Sequence, residues 1–110
     1  MATESNFSIR RGRTGTITVT VTGVSDWNNM IAKLYAYSDQ ESSSVDMVLT
    51  GTCDGPNNKI TFNYSHSDTK VLMKSSYYYD ITIYKADYSY VKDVNYGLIY
   101  IEPVAKRNPS

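Results

Sequence analysis

Hydrophobic and polar residues alternate along most of the chain in short runs, and clusters of turn-forming residues separate these runs. The clearest run covers residues 16–22, in which Ile17, Val19 and Val21 share one face and threonines occupy the other. A period of two residues is that of a β-strand, because successive side chains point to opposite faces. β-branched residues also favour strands. The run therefore predicts a strand with one buried face and one exposed face.

The same reasoning predicts seven to eight short strands in all. The other predicted bounds are residues 7–10, 30–37, 45–50, 59–64, 76–84 and 90–94, and a last strand from Gly97 that stops at Pro103. The side chains predicted to point inward near the end of the chain are Tyr77, Tyr79, Ile81, Ile83, Ile99 and Ile101. Ser65 and Asp68 have the spacing of a capping box, so we expect one short helical turn near residues 66–72. This element set is typical of an all-β, immunoglobulin-like β-sandwich.

The chain has 110 residues, enough for one domain with a single core. We expect a flexible N-terminal arm at residues 1–6, the sandwich at 7–103 and a flexible C-terminal tail at 104–110. Residues 38–44, which are rich in Ser, Asp and Glu, are predicted to form a solvated connection. The single Cys53 excludes an intramolecular disulfide, so packing alone must hold the fold.

Charge and hydropathy exclude several classes of partner. Lys plus Arg and Asp plus Glu are balanced at 11 each, which argues against a protein that binds nucleic acid directly through phosphates. No apolar run approaches the roughly 20 residues of a membrane helix, so we expect no membrane association. The polar start of the chain predicts no secretory signal, and hence synthesis in a cytoplasm.

Candidate catalytic and metal-binding residues are few. His66 is the only histidine and is expected to be a solvated loop residue, while Cys53 has no neighbouring base. One histidine and one cysteine do not make a structural zinc site, and Asp39 with Glu41 lacks the spacing of a calcium loop. Asp80 is expected to form a cross-strand ion pair or a hydrogen bond with a tyrosine. The sequence therefore predicts a protein that is not an enzyme and has no cofactor or metal.

The candidate partner-binding residues are two groups. Arg10, Arg11 and Arg13 form the one basic cluster. They are expected either to contact a partner protein or to keep a strand edge from unwanted pairing.

The second group is Tyr88, Tyr90 and Tyr96, around the final predicted hairpin. Eight of the 11 tyrosines lie between residues 77 and 100, and they cannot all be core. Tyr77 or Tyr79 is expected to form a tyrosine corner. The surplus tyrosines predict an exposed aromatic surface that binds a protein or stacks on sugar rings.

Several segments in this order resemble a recurring bacteriophage domain. They are Phe7-Ser8-Ile9-Arg10-Arg11-Gly12, the loop at Trp27, residues 62–69 with their Ser-x-x-Asp-Thr turn, the Tyr-Asp-Ile core of residues 77–81, and Gly97-Leu98-Ile99-Tyr100-Ile101. This arrangement is similar to the immunoglobulin-like domains of tailed-phage virion proteins, including the N-terminal domain of siphophage upper baseplate proteins. The resemblance covers roughly residues 7–103.

The resemblance implies a non-enzymatic virion protein that is made in the host cytoplasm. Its partners would be other virion structural proteins of the capsid, neck, tail or baseplate, in a symmetric multi-copy assembly. A carbohydrate-binding module for host attachment, with glycan as the partner, is the alternative. A bacterial cell-surface adhesion domain is a third, and the polar N-terminus argues against it.

Overall fold

Eight strands form one continuous hydrogen-bonded sheet in the computed structural model, which describes residues 3–38 and 45–102. The strands are β1 (Thr3–Glu4), β2 (Phe7–Arg10), β3 (Gly15–Thr20), β4 (Met30–Tyr37), β5 (Met47–Asp54), β6 (Lys59–Tyr64), β7 (Ser76–Lys85) and β8 (Val91–Glu102). Their order across the sheet is β1-β8-β7-β4-β5-β6-β3, and β2 also pairs with β8. The predicted all-β class is confirmed. The immunoglobulin-like sandwich stays a prediction.

Helical structure is minor in this fold. A 3-10 turn spans Gly55–Asn57, and a four-residue helix, α1, spans His66–Thr69. No helix in the described part of the chain is long and apolar enough to cross a bilayer. The helical turn was predicted correctly, although it ends before Leu72.

Strand β5 changes its pairing partner at Gly51. Its first half pairs with β4 and its second half with β6, so that Gly51 lies opposite both Ala32 and Phe62. A Cβ atom at Gly51 would lie 2.7 Å from side-chain atoms of Ile60 and Phe62. Real Cβ atoms do not approach that closely, so glycine permits the two strands to meet here. Gly51 is therefore the point at which the two halves of the sheet join.

The two halves of the sheet share one hydrophobic core. Its buried members include Ile17 and Phe62 from β3 and β6, and Leu34, Ile81 and Ile99 from β4, β7 and β8. All five side chains are at most 5% exposed. A sheet with one apolar face must bury that face against another layer. Because α1 has only four residues, it is too short to cover this face. The predicted sandwich, in which the inner faces of the two halves would pack on each other, would meet this requirement.

Strand β8 is longer than the sequence pattern predicts. We expected one strand to end at Val94 and another to begin at Gly97, whereas β8 continues from Val91 to Glu102. Asn95 lies opposite Ile81 and Asp93 lies opposite Thr82, so Val94 is an extra residue. Such a bulge places Val94 and Asn95 both in the buried class. The bulge interrupts the period of two, and the sequence pattern therefore divides one strand into two.

Part of the N-terminal segment, which we expected to be a flexible arm, pairs with β8. Thr3 and Glu4 form β1, which runs parallel to β8, and Ser5 N–H donates to the Tyr96 carbonyl at 2.9 Å. Gly97 has φ +152°, and a Cβ there would collide with the Ser5 carbonyl oxygen. Glycine is required at this position because the N-terminal backbone passes so close to β8. The predicted connection at residues 38–44, apart from Ser38, lies outside the described residues, and so does the predicted tail at 104–110. Asp39 and Glu41 belong to this connection.

The capping box predicted for α1 is present. The Ser65 side chain accepts a hydrogen bond from Asp68 N–H at 3.3 Å, and Asp68 Oδ2 accepts one from Ser65 N–H at 2.8 Å. These bonds satisfy backbone donors that the first turn of a helix otherwise leaves without partners.

A network of hydrogen bonds joins α1 to the turn between β2 and β3. Gly12 N–H donates to Thr69 Oγ1 at 2.9 Å, and the Thr69 hydroxyl donates to the Arg13 carbonyl at 3.1 Å. His66 Nδ1 lies 2.7 Å from the Gly12 carbonyl oxygen and must donate, because a carbonyl only accepts. The prediction that His66 is a solvated loop residue is therefore wrong. Its ring ties two distant segments together.

We expect Thr69→Val to lower the free energy of unfolding by about 1–3 kcal/mol, because it leaves the buried Gly12 N–H without an acceptor. Thr69 is 0% exposed, and valine has nearly the same shape. Urea unfolding followed by circular dichroism measures the change. Thr52→Val, the same substitution on an exposed part of β5, is the control and should stay within about 0.5 kcal/mol. Equal effects of the two substitutions would contradict the assigned role of Thr69.

Candidate partner-binding surface

The outer face of strands β4 and β7 is lined with tyrosines. In β4, Tyr35 and Tyr37 alternate with the fully buried Leu34 and Ala36. In β7, Tyr78 and Tyr84 lie at the outward positions of the same alternation. The two strands are antiparallel neighbours, with Tyr37 opposite Tyr78. Side chains directly opposite each other lie on the same face of a sheet, so these tyrosines belong to one surface.

Strands β5 and β8 and the β7–β8 hairpin extend this surface. Val48 lies opposite Tyr35, Tyr96 opposite Asp80, and Val91 opposite Tyr84. We call this surface the tyrosine face. It consists of Tyr35, Tyr37, Tyr78, Tyr84, Tyr88, Tyr96 and Tyr100 together with Val48, Val91, Ile31 and Leu98.

Most of the exposed large hydrophobic residues in the described part of the chain lie on the tyrosine face. Eight large hydrophobic side chains are exposed in the described residues. Five of them belong to the tyrosine face: Val48, Tyr88, Val91, Tyr96 and Tyr100. The exposed fraction reaches 72% for Tyr88 and 59% for Val91. Single exposed hydrophobic residues are common on proteins, but a contiguous group usually marks a binding surface.

Ring contacts and hydrogen bonds hold several of these tyrosines in place. Tyr84 and Tyr88 stack with ring centroids 5.7 Å apart and ring planes 11° from parallel. Tyr37 and Tyr78 stack at 6.0 Å, and the Tyr37 hydroxyl donates to Asp80 Oδ2 at 2.7 Å. The expected tyrosine bond to Asp80 is therefore present. Rings that are already ordered lose less conformational entropy when a partner binds.

The charged groups within the tyrosine face have hydrogen-bond partners inside the sheet. Lys33 Nζ donates to Thr50 Oγ1 at 2.7 Å, and Asp93 Oδ1 accepts from the Thr82 hydroxyl at 2.7 Å. Together with Asp80, these groups give one positive and two negative charges. The face therefore combines apolar aromatic area with a few charged side chains, whose charges sum to one negative charge.

A shallow cleft of about 200 Å³ opens at one end of the tyrosine face. Its lining consists of Glu4, Tyr37, Tyr78, Tyr79, Asp80, Tyr96, Gly97 and Leu98. Burial, and then the hydrogen bond to Asp80, raise the pKa of Tyr37 to about 12. The Tyr37 hydroxyl is therefore protonated at neutral pH and stays a donor to Asp80.

The three tyrosines predicted to bind a partner lie in different surroundings. Tyr88, with φ 60°, projects from the turn of the β7–β8 hairpin, and Tyr96 is 44% exposed on β8. Tyr90 is half-buried and packs against the hydrophobic core. Tyr88 and Tyr96 thus belong to the tyrosine face, whereas less of the Tyr90 side chain is left for a partner.

The three arginines predicted to bind a partner also lie in different surroundings. Arg10 is exposed at the end of β2 opposite Glu102, two residues beyond the Ser8–Tyr100 pair and on the same face. Arg11 lies against the segment after α1, where its Nε donates to the Leu72 carbonyl at 2.8 Å and Nη2 to the Met73 carbonyl at 3.2 Å. Arg13 is half-buried beside Thr69. Arg11 therefore has a structural role that the sequence did not indicate.

The residues predicted from the sequence to bind a partner do not include Tyr35, Tyr37, Val48 or Val91. The alternation in residues 30–37 puts Tyr35 and Tyr37 on one face of the strand and Leu34 and Ala36 on the other, and this pattern could have indicated the two tyrosines. Nothing local could show that β4 and β7 are neighbours, because they lie about forty residues apart and pair only in the folded sheet.

Chemistry of other kinds has little support in the described residues. Within residues 3–38 and 45–102, no group of three or more His, Cys, Asp or Glu side chains is placed to hold a metal ion. Burial raises the pKa of the Cys53 thiol, and this lowers the fraction present as thiolate.

Comparisons with known proteins do not indicate a family or a function for this chain. No protein-family model and no curated protein matches the chain.

We expect Tyr37→Phe to make the protein less sensitive to alkaline unfolding. The Tyr37 pKa is about 12 in the folded chain, against about 10 for an ordinary tyrosine, so its contribution to stability is complete below about pH 10 and is lost as pH rises through 12. Between pH 9 and pH 12, the free energy of unfolding should therefore fall less for the variant than for the wild type. Tyr100→Phe, on the exposed part of the same face, is the control and should follow the wild type. Equal losses for Tyr37→Phe and the wild type would show that Tyr37 has no such role.

Proposed function

We propose that this protein is a non-enzymatic structural domain of a bacteriophage particle, which docks in multiple copies on a virion component through its tyrosine face. The observation that carries the docking role is the concentration of exposed apolar side chains on that one face. Tyrosine is enriched in the energetically dominant centres of protein interfaces, because it combines a large apolar ring with a polar tip. Docking of this kind needs no catalytic residue.

The order of strand pairing supports the resemblance to immunoglobulin-like domains. If β2 to β8 correspond to strands A to G of that fold, then β3–β6 is the B–E pair, β6–β5 is E–D, β4–β7 is C–F and β7–β8 is F–G. These four pairs are adjacent in the two sheets of an immunoglobulin domain. The chain departs from that pattern where β5 also pairs with β4, and where β2 pairs with β8 instead of β3.

Tyr77 supplies a second point of agreement. It lies near the start of β7, the strand that corresponds to F, and is 4% exposed. Its hydroxyl oxygen accepts a hydrogen bond from Lys74 N–H, three residues upstream, at 3.1 Å. A bond from this tyrosine to upstream backbone defines the tyrosine corner of immunoglobulin-like folds. Both observations support the fold part of the resemblance, and the virion role follows from the resemblance.

The balance of charges supports a partner that is mostly apolar where it meets this face. Lys33, Asp80 and Asp93 are each hydrogen-bonded to a hydroxyl group of the sheet, and their charges sum to one negative charge, so aromatic and aliphatic side chains make up most of this face. Contacts between apolar side chains do not rely on charge, so salt weakens them little. We therefore propose a protein partner that covers the rings, with Arg10 and Tyr100 near the rim.

A carbohydrate is the second candidate partner, and the cleft beside Asp80 favours it. Tyr78 and Tyr96 give this cleft aromatic sides, and Asp80 offers carboxylate oxygens to sugar hydroxyls. However, the rings of each tyrosine pair are stacked on each other, so one face of each ring is covered by the other ring and is not free for a sugar. A glycan array that shows no binding would remove this candidate.

We expect Val91→Asp to reduce the number of copies per particle by at least tenfold, which corresponds to about 1.4 kcal/mol of binding free energy. The substitution places a charge within the apolar face. Particles assembled from the genome that encodes the chain would be purified, and quantitative mass spectrometry would measure the copy number. Val71→Asp is the matched control, because Val71 is 56% exposed, close to the 59% of Val91, but lies after α1 and outside the tyrosine face.

Two outcomes would contradict the proposal. Absence of the wild-type protein from purified particles removes the virion role. Equal incorporation of Val91→Asp and Val71→Asp, both shown to be folded by circular dichroism, removes the tyrosine face as the docking surface.

A further inference from the structure

Strand β3 lies at one end of the sheet. Within residues 3–38 and 45–102 it pairs with β6 alone, over the whole length from Gly15 to Thr20. In the immunoglobulin pattern, strand A lies next to strand B. Here β2, which would be strand A, pairs with β8. The edge of β3 that faces away from β6 therefore has no strand beside it in the described part of the chain.

The register of the β3–β6 pair shows which backbone groups lie on this edge. Val21 N–H donates to the Asn58 carbonyl at 2.7 Å, which continues the same register by one residue. In an antiparallel pair, residues whose N–H and C=O point to the partner strand alternate with residues whose groups point away. Val19 and Ile17 therefore bond to β6. Thr16, Thr18 and Thr20 direct their N–H and C=O groups away from it.

The side chains on this edge offer no protection against pairing. Natural edge strands are commonly blocked by a charged residue, a proline or a bulge. From Thr14 to Thr22 the chain has none of these residue types, and its register with β6 is unbroken from Gly15 to Thr20. The side chains of Thr16, Thr18 and Thr20 are all exposed.

We propose that β3 is a docking edge for a second copy of this chain, with the two β3 strands antiparallel about a two-fold axis at Thr18. In this register Thr18 lies opposite Thr18 of the second copy, and Thr16 lies opposite Thr20. These are the residues whose backbone groups point outward, so each opposed pair exchanges two hydrogen bonds. The inference uses β3 alone and does not depend on the docking role of the tyrosine face.

Two features favour a second copy over an unrelated strand. First, the edge complements itself, since threonine meets threonine on the outer face and Ile17 meets Val19 on the inner face. Threonine pairs across strands are favourable. Second, the segment contributes no charge, so bringing two copies together opposes no like charges.

The interface would be small, and this sets the expected strength. Ile17 and Val19 are each 5% exposed in the single chain, so pairing buries little further apolar surface from them. Stable interfaces bury on the order of 1,200–2,000 Å², more than a single strand pair supplies. We therefore expect a reversible dimer in solution, whose fraction rises with protein concentration.

Site-specific crosslinking tests the proposed register. In a Cys53→Ser background, Thr18→Cys places two thiols on opposed residues whose Cα atoms lie about 5.5 Å apart, within disulfide range. Thr16→Cys is the matched control, because its thiols would lie four residues, or about 14 Å, apart along the strands. We expect Thr18→Cys to form the disulfide-linked dimer at least about tenfold faster than Thr16→Cys, since only the former geometry can close. Equal rates, or no dimer from Thr18→Cys, would overturn the proposal.

Sedimentation velocity provides a second, independent test on the full chain. Thr18→Pro removes an N–H that points away from β6, so it leaves the β3–β6 pairing intact while it blocks the edge. We expect the wild type to shift towards dimer as concentration rises, and Thr18→Pro to stay monomeric. Thr18→Val keeps the backbone donor and should dimerise like the wild type. A monomeric wild type at every concentration, or a Thr18→Pro variant that dimerises normally, would overturn the inference. If Thr18→Pro does not fold, the comparison of Thr18→Cys with Thr16→Cys decides the question.

Discussion

The structure depends on the change of partner within β5. A sheet of eight strands with one apolar face needs a second layer, and α1, with four residues, cannot supply it. By pairing the first half of β5 with β4 and the second half with β6, the chain joins the two halves into one continuous sheet, and buried residues of both halves belong to a single hydrophobic core. Gly51 makes the change possible because a side chain there would clash with Ile60 and Phe62.

Much of this architecture could be predicted from local patterns. The period of two identified the buried sets in β3, β6 and β7, and the Ser65–Asp68 spacing identified α1. Local patterns could not show the bulge at Val94, because an extra residue in a strand looks like the end of that strand. They also could not show that β1 and β2 run parallel to β8, since such pairing joins residues about ninety positions apart.

The candidate surface was predictable in kind but not in position. Composition indicated that some tyrosines must be exposed, and Tyr88 and Tyr96 are. Assigning the face required the sheet order, because Tyr35, Tyr78 and Tyr96 come from three strands that only the register places side by side. The arginine cluster shows the opposite case. A local basic run suggested a patch, but Arg11 is used to bind the carbonyls of Leu72 and Met73.

The two proposed surfaces follow from the same departure from the immunoglobulin pattern. Because β2 pairs with β8, it widens the sheet that bears the tyrosine face and places Arg10 at its rim. The same displacement takes β2 away from β3 and leaves the outer edge of β3 without a neighbouring strand in the described part of the chain. The two surfaces lie in different halves of the sheet, so one chain can use both at once. Side-chain contacts on the tyrosine face would select a partner, whereas backbone pairing at β3 would join identical copies. Such a division of roles would suit the proposed multi-copy assembly, in which one surface contacts identical copies and the other contacts a different component.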